Sequence, residues 1–505
     1  MPSKKTPPKN GRRSIDATVK SICDIMRRGN MSGALQYVPE LSRLLFLRIL
    51  DEIEESEQRK TEAVGKKFSP SLPSPFRWRD WAAKNGKHHQ QLIESKDAML
   101  QFYNNELLPH LHKLRISSDS SMRQKIIGQI FLGVETTQFD TQRDMLDVLD
   151  RIDELRQEHT DDTHIFTLSQ IYEGLLLKMG EKNNDGGQFF TPRETIRAMV
   201  RVINPQIGET VYDPCCGTGG FLAQSNEYMR EQLGKNITAK ELTHLRKKTF
   251  YGREKDKLAY PIALANLILH GIDAPRIWHG NTLSRAETDG SLFLTGDDER
   301  SYDVILTNPP FGGKESRTAQ TRFDYPTSST QVLFMQEIIK YLKNNGRCGV
   351  VVDEGFLFRG EDAFAKTKKR LLEECNLWCI VSLPSGVFTQ AGAGVKTNLL
   401  FFTKGEPTEK IWYYDMSDIK VNKGNPLTLA HFDEFFRLLP KQAKSQNSWL
   451  LNAKTVGKNG YDLRAKNPNK KDETDNRTPA EIMDSIRRHT SEIGKAMDEL
   501  RDISN

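Results

Sequence analysis

The sequence has few cysteines and no long apolar run, and both absences narrow the class of protein. Six cysteines occur in 505 residues, none in the paired Cys-x-x-Cys spacing of a zinc site, so we expect reduced thiols and no metal. No stretch approaches the roughly 20 uninterrupted apolar residues that a membrane span needs. The basic first residues also lack the apolar stretch of a signal peptide. We therefore expect a cytoplasmic protein that does not contact a membrane.

A phosphate-binding loop of the type GxxxxGK[ST] is also missing, which argues against ATP and pyrophosphate as ligands. The net charge of +6 permits nucleic-acid binding but does not establish it, because the charged residues, 28% of the chain, are of both signs. Composition therefore leaves the ligand to be decided by motifs.

The length predicts two or three domains, and the pattern of apolar residues divides them. Apolar residues recur at helical spacing in the first part, as in Leu41, Leu45, Ile49 and Ile53. Later, β-rich apolar runs alternate with helical stretches, which predicts a mainly parallel sheet covered on both faces. We predict a disordered basic tail (1–13), an all-helical N-terminal domain (14–182), an α/β domain (183–452), a polar linker (453–477) and a C-terminal helix (478–505).

The α/β domain is expected to contain a sheet of seven or eight strands. The candidates are Thr210–Asp213, Phe250–Arg253, Arg276–His279, Asp303–Thr307, Arg347–Val352, Trp378–Leu383, Asn398–Thr403 and Ile411–Tyr414.

The C-terminal helix has a clear start signal and a narrow apolar seam. Thr478 is placed as its N-cap, with Glu481 placed for a capping box. Apolar residues such as Ile486 and Ile493 then follow at alternating spacings of four and three. The seam could dock on the helical domain or on another subunit.

A rigid motif follows the apolar run at Tyr302–Thr307. It reads Asn308-Pro309-Pro310-Phe311. Open α/β sheets place ligands at the carboxyl ends of their strands, and the prolines hold the Asn308 amide in position. This is a site for a flat base with an exocyclic amine. The alternative for the tetrapeptide alone is a strand end broken by prolines.

A glycine-rich turn connects the first predicted strand to a helix. The segment Val211-Tyr-Asp-Pro-Cys-Cys-Gly-Thr-Gly-Gly-Phe221 gives the crevice in which open α/β folds bind nucleotides, and Asp213 could take a cationic ammonium there. At the end of the second strand, Glu254 could bind ribose hydroxyls; the alternative is a solvated acid in a turn. After the third strand, Asn281 could hydrogen-bond an adenine edge.

Upstream, Gly187-Gln-Phe-Phe-Thr-Pro-Arg193 precedes a helix predicted at Glu194–Ile203. Thr191 is a plausible N-cap with Pro192 in the first turn, so that free amides point into the same crevice. Alone, the segment could be only a good helix cap.

Together these segments resemble the S-adenosylmethionine-dependent amino-methyltransferases of DNA, and closely the adenine-N6 modification subunits of type I restriction-modification systems. The order of the segments is similar to the γ arrangement of that family, and the resemblance covers most of the chain, including Leu383 to Phe388 and Ala393 to Phe402. It implies a Rossmann-like methyltransferase sheet. The loop departs from the family in Cys215 and Cys216, where small residues are usual, and in Asn281, where aspartate is frequent.

The resemblance also implies roles for individual residues. The residues that would bind S-adenosylmethionine are Gln188, Phe189, Phe190, Thr191, Pro192, Arg193, Asp213, Gly217, Thr218, Gly219, Gly220, Glu254 and Asn281. The catalytic set is Asn308, Pro309, Pro310 and Phe311, with Phe311 and Phe388 stacking on the target base. A core phenylalanine is the alternative for Phe388.

The expected reaction is methyl transfer to N6 of an adenine in double-stranded DNA. Asn308 and the Pro309 carbonyl would accept both amine hydrogens, and the base must be flipped out of the duplex to reach them. Methyl transfer needs no metal. About 90 residues follow the sheet, which is short for a base-reading domain, so a specificity subunit is expected to bind through the helical domain and the C-terminal helix. A restriction subunit is a further implied partner.

Two other functions fit the same residues less fully. A stand-alone methyltransferase could act on another planar amine, such as a glutamine side chain of a protein or an RNA base. A catalytically silent scaffold could bind partners only. Methylation of DNA with and without a specificity subunit separates the first from the expected reaction, and Asn308→Ala separates the second.

Overall fold

The fold is taken from a computed structural model, which describes residues 20–31, 34–154, 191–234, 237–286, 292–293, 300–388, 396–422, 425–470 and 478–504. The predictions for the basic tail and for Gln188, Phe189 and Phe190 lie outside these residues. Among the helices described, none is long and apolar enough to cross a membrane.

The N-terminal region is helical, as predicted. The apolar seam of its first long helix is buried, including Leu41, Leu45 and Ile49. The proline-rich segment that ends at Phe76 lies between helices, also as predicted. A helical stretch at 20–28 precedes the named helices. These are α1 (Ala34–Ala63), α2 (Trp78–Trp81), α3 (Lys87–Ile93), α4 (Ala98–Phe102), a π-helical turn (Tyr103–Leu107), α5 (Leu108–Ile116), α6 (Met122–Ile130) and α7 (Gln142–Asp153).

The second region is a nine-stranded sheet with helices on both faces. Its strands are β1 (Val211–Asp213), β2 (Phe250–Glu254), β3 (Arg276–His279), β4 (Tyr302–Thr307), β5 (Leu342–Asp353), β6 (Cys375–Ser382), β7 (Thr397–Lys404), β8 (Lys410–Asp415) and β9 (Ser448–Asn452). Its helices are α8 (Arg193–Ile203), α9 (Gly220–Leu233), α10 (Ala239–Lys248), α11 (Ala259–Leu269), α12 (Arg317–Gln320), α13 (Thr330–Tyr341), α14 (Glu354–Phe358), α15 (Asp362–Glu374), α16 (Asp433–Leu438) and α17 (Ala453–Lys458). Two 3-10 turns, Leu429–Phe432 and Leu439–Lys441, flank α16.

The strand order is β3-β2-β1-β4-β5-β7-β6-β8-β9. Pairing is parallel from β3 through β5 and between β6 and β8, whereas β7 runs antiparallel to β5 and β6, and β9 antiparallel to β8. The predicted mainly parallel sheet is confirmed. Because β1 lies between β2 and β4, the chain changes direction at β1, and this is where open α/β sheets bind ligands.

The ninth strand and part of the predicted linker differ from the sequence prediction. β9 was not among the candidate strands, because Ser448–Asn452 is short and one of its leucines, Leu450, is exposed at the sheet edge. The segment after it carries α17, and Val456 and Leu463 are buried. Leu463 donates its backbone amide to the Leu357 carbonyl. This part of 453–477 is therefore packed on the sheet domain rather than free.

The helical region contacts the sheet domain through α1 and α6, which pack against α11. Charged side chains also interact between the two regions at this interface. Arg123 of α6 lies 2.9 Å from Glu57 of α1 and 3.5 Å from Asp273, which precedes β3. One apolar core runs from the helical region through α8, α9 and α11 to one face of the sheet, and a second lies beneath α13 and α15 on the other face.

The C-terminal helix, α18 (Pro479–Ser504), has the predicted capping box. Thr478 accepts a hydrogen bond from the Glu481 amide at 3.3 Å, and the Glu481 carboxylate accepts one from the Thr478 amide at 2.6 Å. Ile486 and Ile493 of the apolar seam are 55% and 61% exposed. The described part of the seam is therefore uncovered in the isolated chain.

Candidate active site

A cavity of about 510 Å³ lies over the carboxyl ends of β1, β2, β3 and β4. Ten of the residues predicted from the sequence line it, namely Thr191, Arg193, Asp213, Gly217, Thr218, Gly220, Glu254, Asn281, Asn308 and Pro310. The wall as described does not include Pro192, Gly219, Pro309, Phe311 or Phe388. Segments far apart in the chain thus meet in one crevice at the point where the strand order reverses.

The glycine turn after β1 needs its glycines for two separate reasons. Gly217 and Gly219 have φ values of +53° and +80°, which residues with a side chain rarely adopt. At Gly220 an added Cβ would lie 2.9 Å from the Ile196 side chain of α8. The turn therefore allows α9 to lie close to α8.

Two buried carboxyl groups form one side of the cavity. Asp213 accepts hydrogen bonds from the Thr307 hydroxyl at 2.6 Å and from the Cys215 amide at 3.2 Å. Glu254 accepts from the amides of Gly217 and Asp256, each at 2.8 Å. Burial nevertheless raises the pKa of each carboxyl to about 7. A cationic ligand that contacts these groups would therefore favour their ionised forms, and a ligand with hydroxyl groups could donate hydrogen bonds to them.

Cys215 belongs to the same hydrogen-bonded group. Its sulfur lies 3.1 Å from the Thr307 hydroxyl oxygen. Burial, followed by the charge of Asp213, raises the pKa of the Cys215 thiol well above its usual range, so the thiol stays protonated. The residue thus serves packing and hydrogen bonding beside the carboxyl group.

Asn308, the first residue after β4, has one half of its amide fixed and the other half free. Its Nδ2 donates to the Thr191 hydroxyl at 3.0 Å. Its Oδ1 is shielded from solvent and has no hydrogen-bond partner among the described residues. A buried carbonyl oxygen without a partner costs about 1–3 kcal/mol, so this oxygen is suited to accept from a ligand.

The predicted N-cap role of Thr191 is wrong. α8 begins at Arg193, its N-cap is Pro192, and no side chain caps it. The Thr191 hydroxyl instead accepts from Asn308, the first residue after β4. Sequence spacing could not distinguish these two uses of a threonine.

Phe311 and Phe388 contact each other, so there is no space for a target base between their rings. Their ring centroids are 5.5 Å apart and their planes are inclined by 83°. Phe388 is 2% exposed and belongs to the core, while Phe311 is half-buried. Stacking of a base between them would require the rings to separate, so the stacking roles stay predictions.

Several residues of the site were not found from the sequence. Thr307 does not line the cavity but donates to Asp213, and it could have been found because it immediately precedes Asn308 at a strand end. Glu315, in the loop after Phe311, gave no local signal. Its carboxylate oxygens each lie 3.2 Å from Nδ2 of Asn281. The side chain that was expected to face an adenine edge is thus already held by an acid.

The sequence patterns of two known families match this chain. The family described as N-6 DNA Methylase matches residues 163–477, and the HsdM N-terminal domain matches residues 15–162. Together they span both regions of the fold.

Individual proteins match along nearly the whole length. The EcoEI methylase subunit of a type I restriction enzyme from Escherichia coli is 34% identical, with 97% of each chain covered. The EcoKI methylase subunit from Escherichia coli strain K12 is 30% identical over 86% of this chain and 79% of its own. A solved chain of a type I R-M system is 35% identical, covers 97% of this chain and 98% of its own, and superposes with a TM-score of 0.72. A modification subunit from Vibrio vulnificus is 33% identical, covers 92% and 99%, and gives a TM-score of 0.79.

Proposed function

The chain belongs to the N-6 DNA methylase family as a methylase subunit of the type I restriction-modification kind, and from this premise we propose the reaction it performs. It transfers a methyl group from S-adenosylmethionine to N6 of an adenine flipped out of double-stranded DNA, and another subunit supplies the sequence specificity. The observation that carries this proposal is the Asn308 amide, whose buried oxygen has no partner in the part of the chain that the structure describes, while its nitrogen is held by Thr191.

An adenine amine is a poor nucleophile because its lone pair is delocalised into the ring. Asn308 Oδ1 and the Pro309 carbonyl accept its two hydrogens, which favours a tetrahedral nitrogen with a directed lone pair. Thr191 fixes which end of the amide faces the base, since the amide nitrogen already donates to its hydroxyl. Position and electrostatics thus replace a general base at this stage.

The residues around the cavity fit the proposed cofactor. Asp213 and Glu254 are buried carboxyls with pKa values of about 7, and no cationic side chain among the described residues hydrogen-bonds to either. They suit a ligand that brings an ammonium group and ribose hydroxyls. Asp213, Glu254 and the backbone of Gly217–Gly220 would hold it, together with the segment that ends at Arg193. When bound, S-adenosylmethionine supplies the electrophilic methyl group.

The target base must leave the duplex because the amine inside a base pair cannot reach Asn308 in line with the methyl group. Phe311, in contact with Phe388, is the stacking platform that the sequence predicts at this position. Entry of the base requires the edge-to-face contact of these two rings to open.

The specificity subunit is proposed to dock on the helical region and α18. The exposed isoleucines of α18 support this, because an apolar seam that is uncovered in the isolated chain gains from burial against a partner helix. A restriction subunit would join the same complex.

The test is methylation of duplex DNA by this chain purified with its specificity subunit and supplied with S-adenosylmethionine. Incorporation of methyl groups at adenine N6 is expected with the subunit and not without it. Methylation that needs no subunit, or that occurs on RNA or on protein glutamine instead, would assign the site to another planar amine. No methylation of any DNA would refute the proposal.

A further inference from the structure

Glu315 occupies the end of the cavity that lies over β3, although it follows β4 in the chain. Its backbone is anchored there, since its amide donates to the Ser328 carbonyl at 2.9 Å and its carbonyl accepts from the Gln320 side chain at 2.9 Å. Its side chain is half-buried and lines the cavity. No ion pair among the described residues involves this carboxylate.

Asn281 holds the Glu315 carboxylate from the other side. The Asn281 oxygen accepts from the Leu283 amide at 2.9 Å, so the side chain is locked in a local turn. Its nitrogen then donates to both Glu315 oxygens at 3.2 Å. Asn281 therefore acts here as a donor, and the free acceptor capacity at this end of the cavity is on Glu315, because a carboxylate can accept about four hydrogen bonds.

The position of this carboxylate agrees with the order of strands. Glu254 at the end of β2 is placed for ribose hydroxyls, so the next strand end, β3, is where the base attached to that ribose would lie. Adenine presents an exocyclic amine, a donor that needs an acceptor. We infer that Glu315, positioned by Asn281, reads the exocyclic amine of the cofactor's adenine and so determines the purine specificity of the cofactor site. The inference rests on the proposed cofactor.

The contact between Asn281 and Glu315 predicts that an aspartate in place of Asn281 would weaken cofactor binding. Asp at position 281 would put a second carboxylate about 3 Å from the first, and like charges at that distance disfavour each other. Asn281→Asp should therefore weaken adenosyl binding about tenfold, even though it adds an acceptor beside the adenine. The double variant Asn281→Asp with Glu315→Gln removes the repulsion and should recover most of the lost affinity.

The experiment measures binding by calorimetry with S-adenosylhomocysteine and with S-inosylhomocysteine, which has an oxygen in place of the amine. The unmodified chain should prefer the adenosyl compound by about tenfold to a hundredfold, because the oxygen would face a carboxylate. In Glu315→Gln the preference for the adenosyl compound should fall at least tenfold, since the glutamine amide can donate to the inosyl oxygen. Glu373→Gln, on the exposed face of α15, is the matched control and should keep the original preference.

The outcomes separate the inference from the function on which it rests. If the unmodified chain binds neither compound, the proposed cofactor is refuted and the inference with it. If the chain binds S-adenosylhomocysteine but Glu315→Gln keeps the adenosyl preference, only the inference fails. Asn281→Asp alone provides a second test in a chain that retains Glu315, because an unchanged affinity for S-adenosylhomocysteine would also contradict the inference.

Discussion

The two ends of the cavity use different chemistry. At the amide end, Asn308 and Thr191 present uncharged groups whose hydrogen-bonding pattern does not change near neutral pH. At the carboxylate end, Asp213 and Glu254 are acids whose pKa values burial raises to about 7. The difference indicates that the hydrogen-bonding groups at the amide end are fixed before a base binds. At the carboxylate end, the ionisation of the acids depends on pH and on the charge of the ligand. Substitutions at the amide end should therefore change turnover, and substitutions at the carboxylate end should change cofactor affinity.

The largest expected effect is on turnover at the amide end. Asn308→Ala should lower kcat by about 10²–10³-fold, by analogy with the loss of one preorganised hydrogen-bonding group, and leave the Kd for S-adenosylhomocysteine unchanged. Single-turnover methylation and calorimetry measure the two quantities. Asn344→Ala, exposed near the amino end of β5 and therefore away from the strand ends that line the cavity, is the control. A variant that retains its turnover would show that the free oxygen has no part in the reaction.

The next effect is on cofactor affinity at the carboxylate end. Asp213→Asn should weaken cofactor binding by about tenfold to a hundredfold, because a charge-assisted contact is lost. The same variant should melt at a higher temperature than the unmodified chain at pH 8, since an ionised carboxyl no longer has to be buried.

Asp303 provides the matched comparison for Asp213 on the same sheet. Burial would raise its pKa, but hydrogen bonds from Lys343 and Thr210 lower it overall, so its ionised form stabilises the fold. Asp303→Asn should therefore lower the melting temperature at pH 8 and leave cofactor affinity intact. If both variants shift the melting temperature in the same direction, the assigned charge environments are wrong.

Dependence on pH is expected at the carboxylate end only. Folded pKa values above the ordinary range mean that Asp213 and Glu254 bind protons on folding, so their contribution to the free energy of unfolding is largest below about pH 4 and is lost as pH rises to 7. A cationic ligand favours the ionised forms. Cofactor affinity should thus rise from pH 6 to pH 8, by about tenfold for each group that the ligand engages.

A double variant checks the source of this pH dependence. With Asp213→Asn and Glu254→Gln combined, the affinity, although weaker, should be flat between pH 6 and pH 8 in the same calorimetric titration. A slope that survives both substitutions would have to come from other groups.

The smallest expected effect is on the turnover of variants at Thr191, whose hydroxyl holds the Asn308 amide in position. Thr191→Val removes the hydroxyl that accepts from Asn308, so the amide can turn its nitrogen toward the base. We expect kcat to fall about three- to tenfold. Thr191→Ser keeps the hydroxyl and should restore turnover. Equal losses in both variants would point to packing rather than to the hydrogen bond.

Local patterns predicted much of the fold. Eight of the nine strands were recognised from their apolar runs, but β5 starts at Leu342 rather than Arg347, because Asn344, Asn345 and Gly346 read as a turn. β9 was missed because its apolar run, Trp449–Leu451, is only three residues long.

Contacts between segments that are distant in the chain could not be predicted from the sequence, and this limited the prediction of the site. The motif at Asn308 and the acids at the ends of β1 and β2 could be placed because strand ends converge at one edge of a parallel sheet. The partners of these groups could not, since Thr191 precedes Asn308 by 117 residues and Asp213 precedes Thr307 by 94. No periodic pattern records which hydroxyl meets which side chain across such separations.

The uncovered seam of α18 also bears on how the protein can be handled. Met483, Ile486, Ile493 and Met497 are each more than half exposed on one helix. Exposed apolar side chains grouped in this way favour self-association as concentration rises. Yield and colloidal behaviour of the recombinant chain should accordingly improve when the gene for its docking partner is expressed in the same cell.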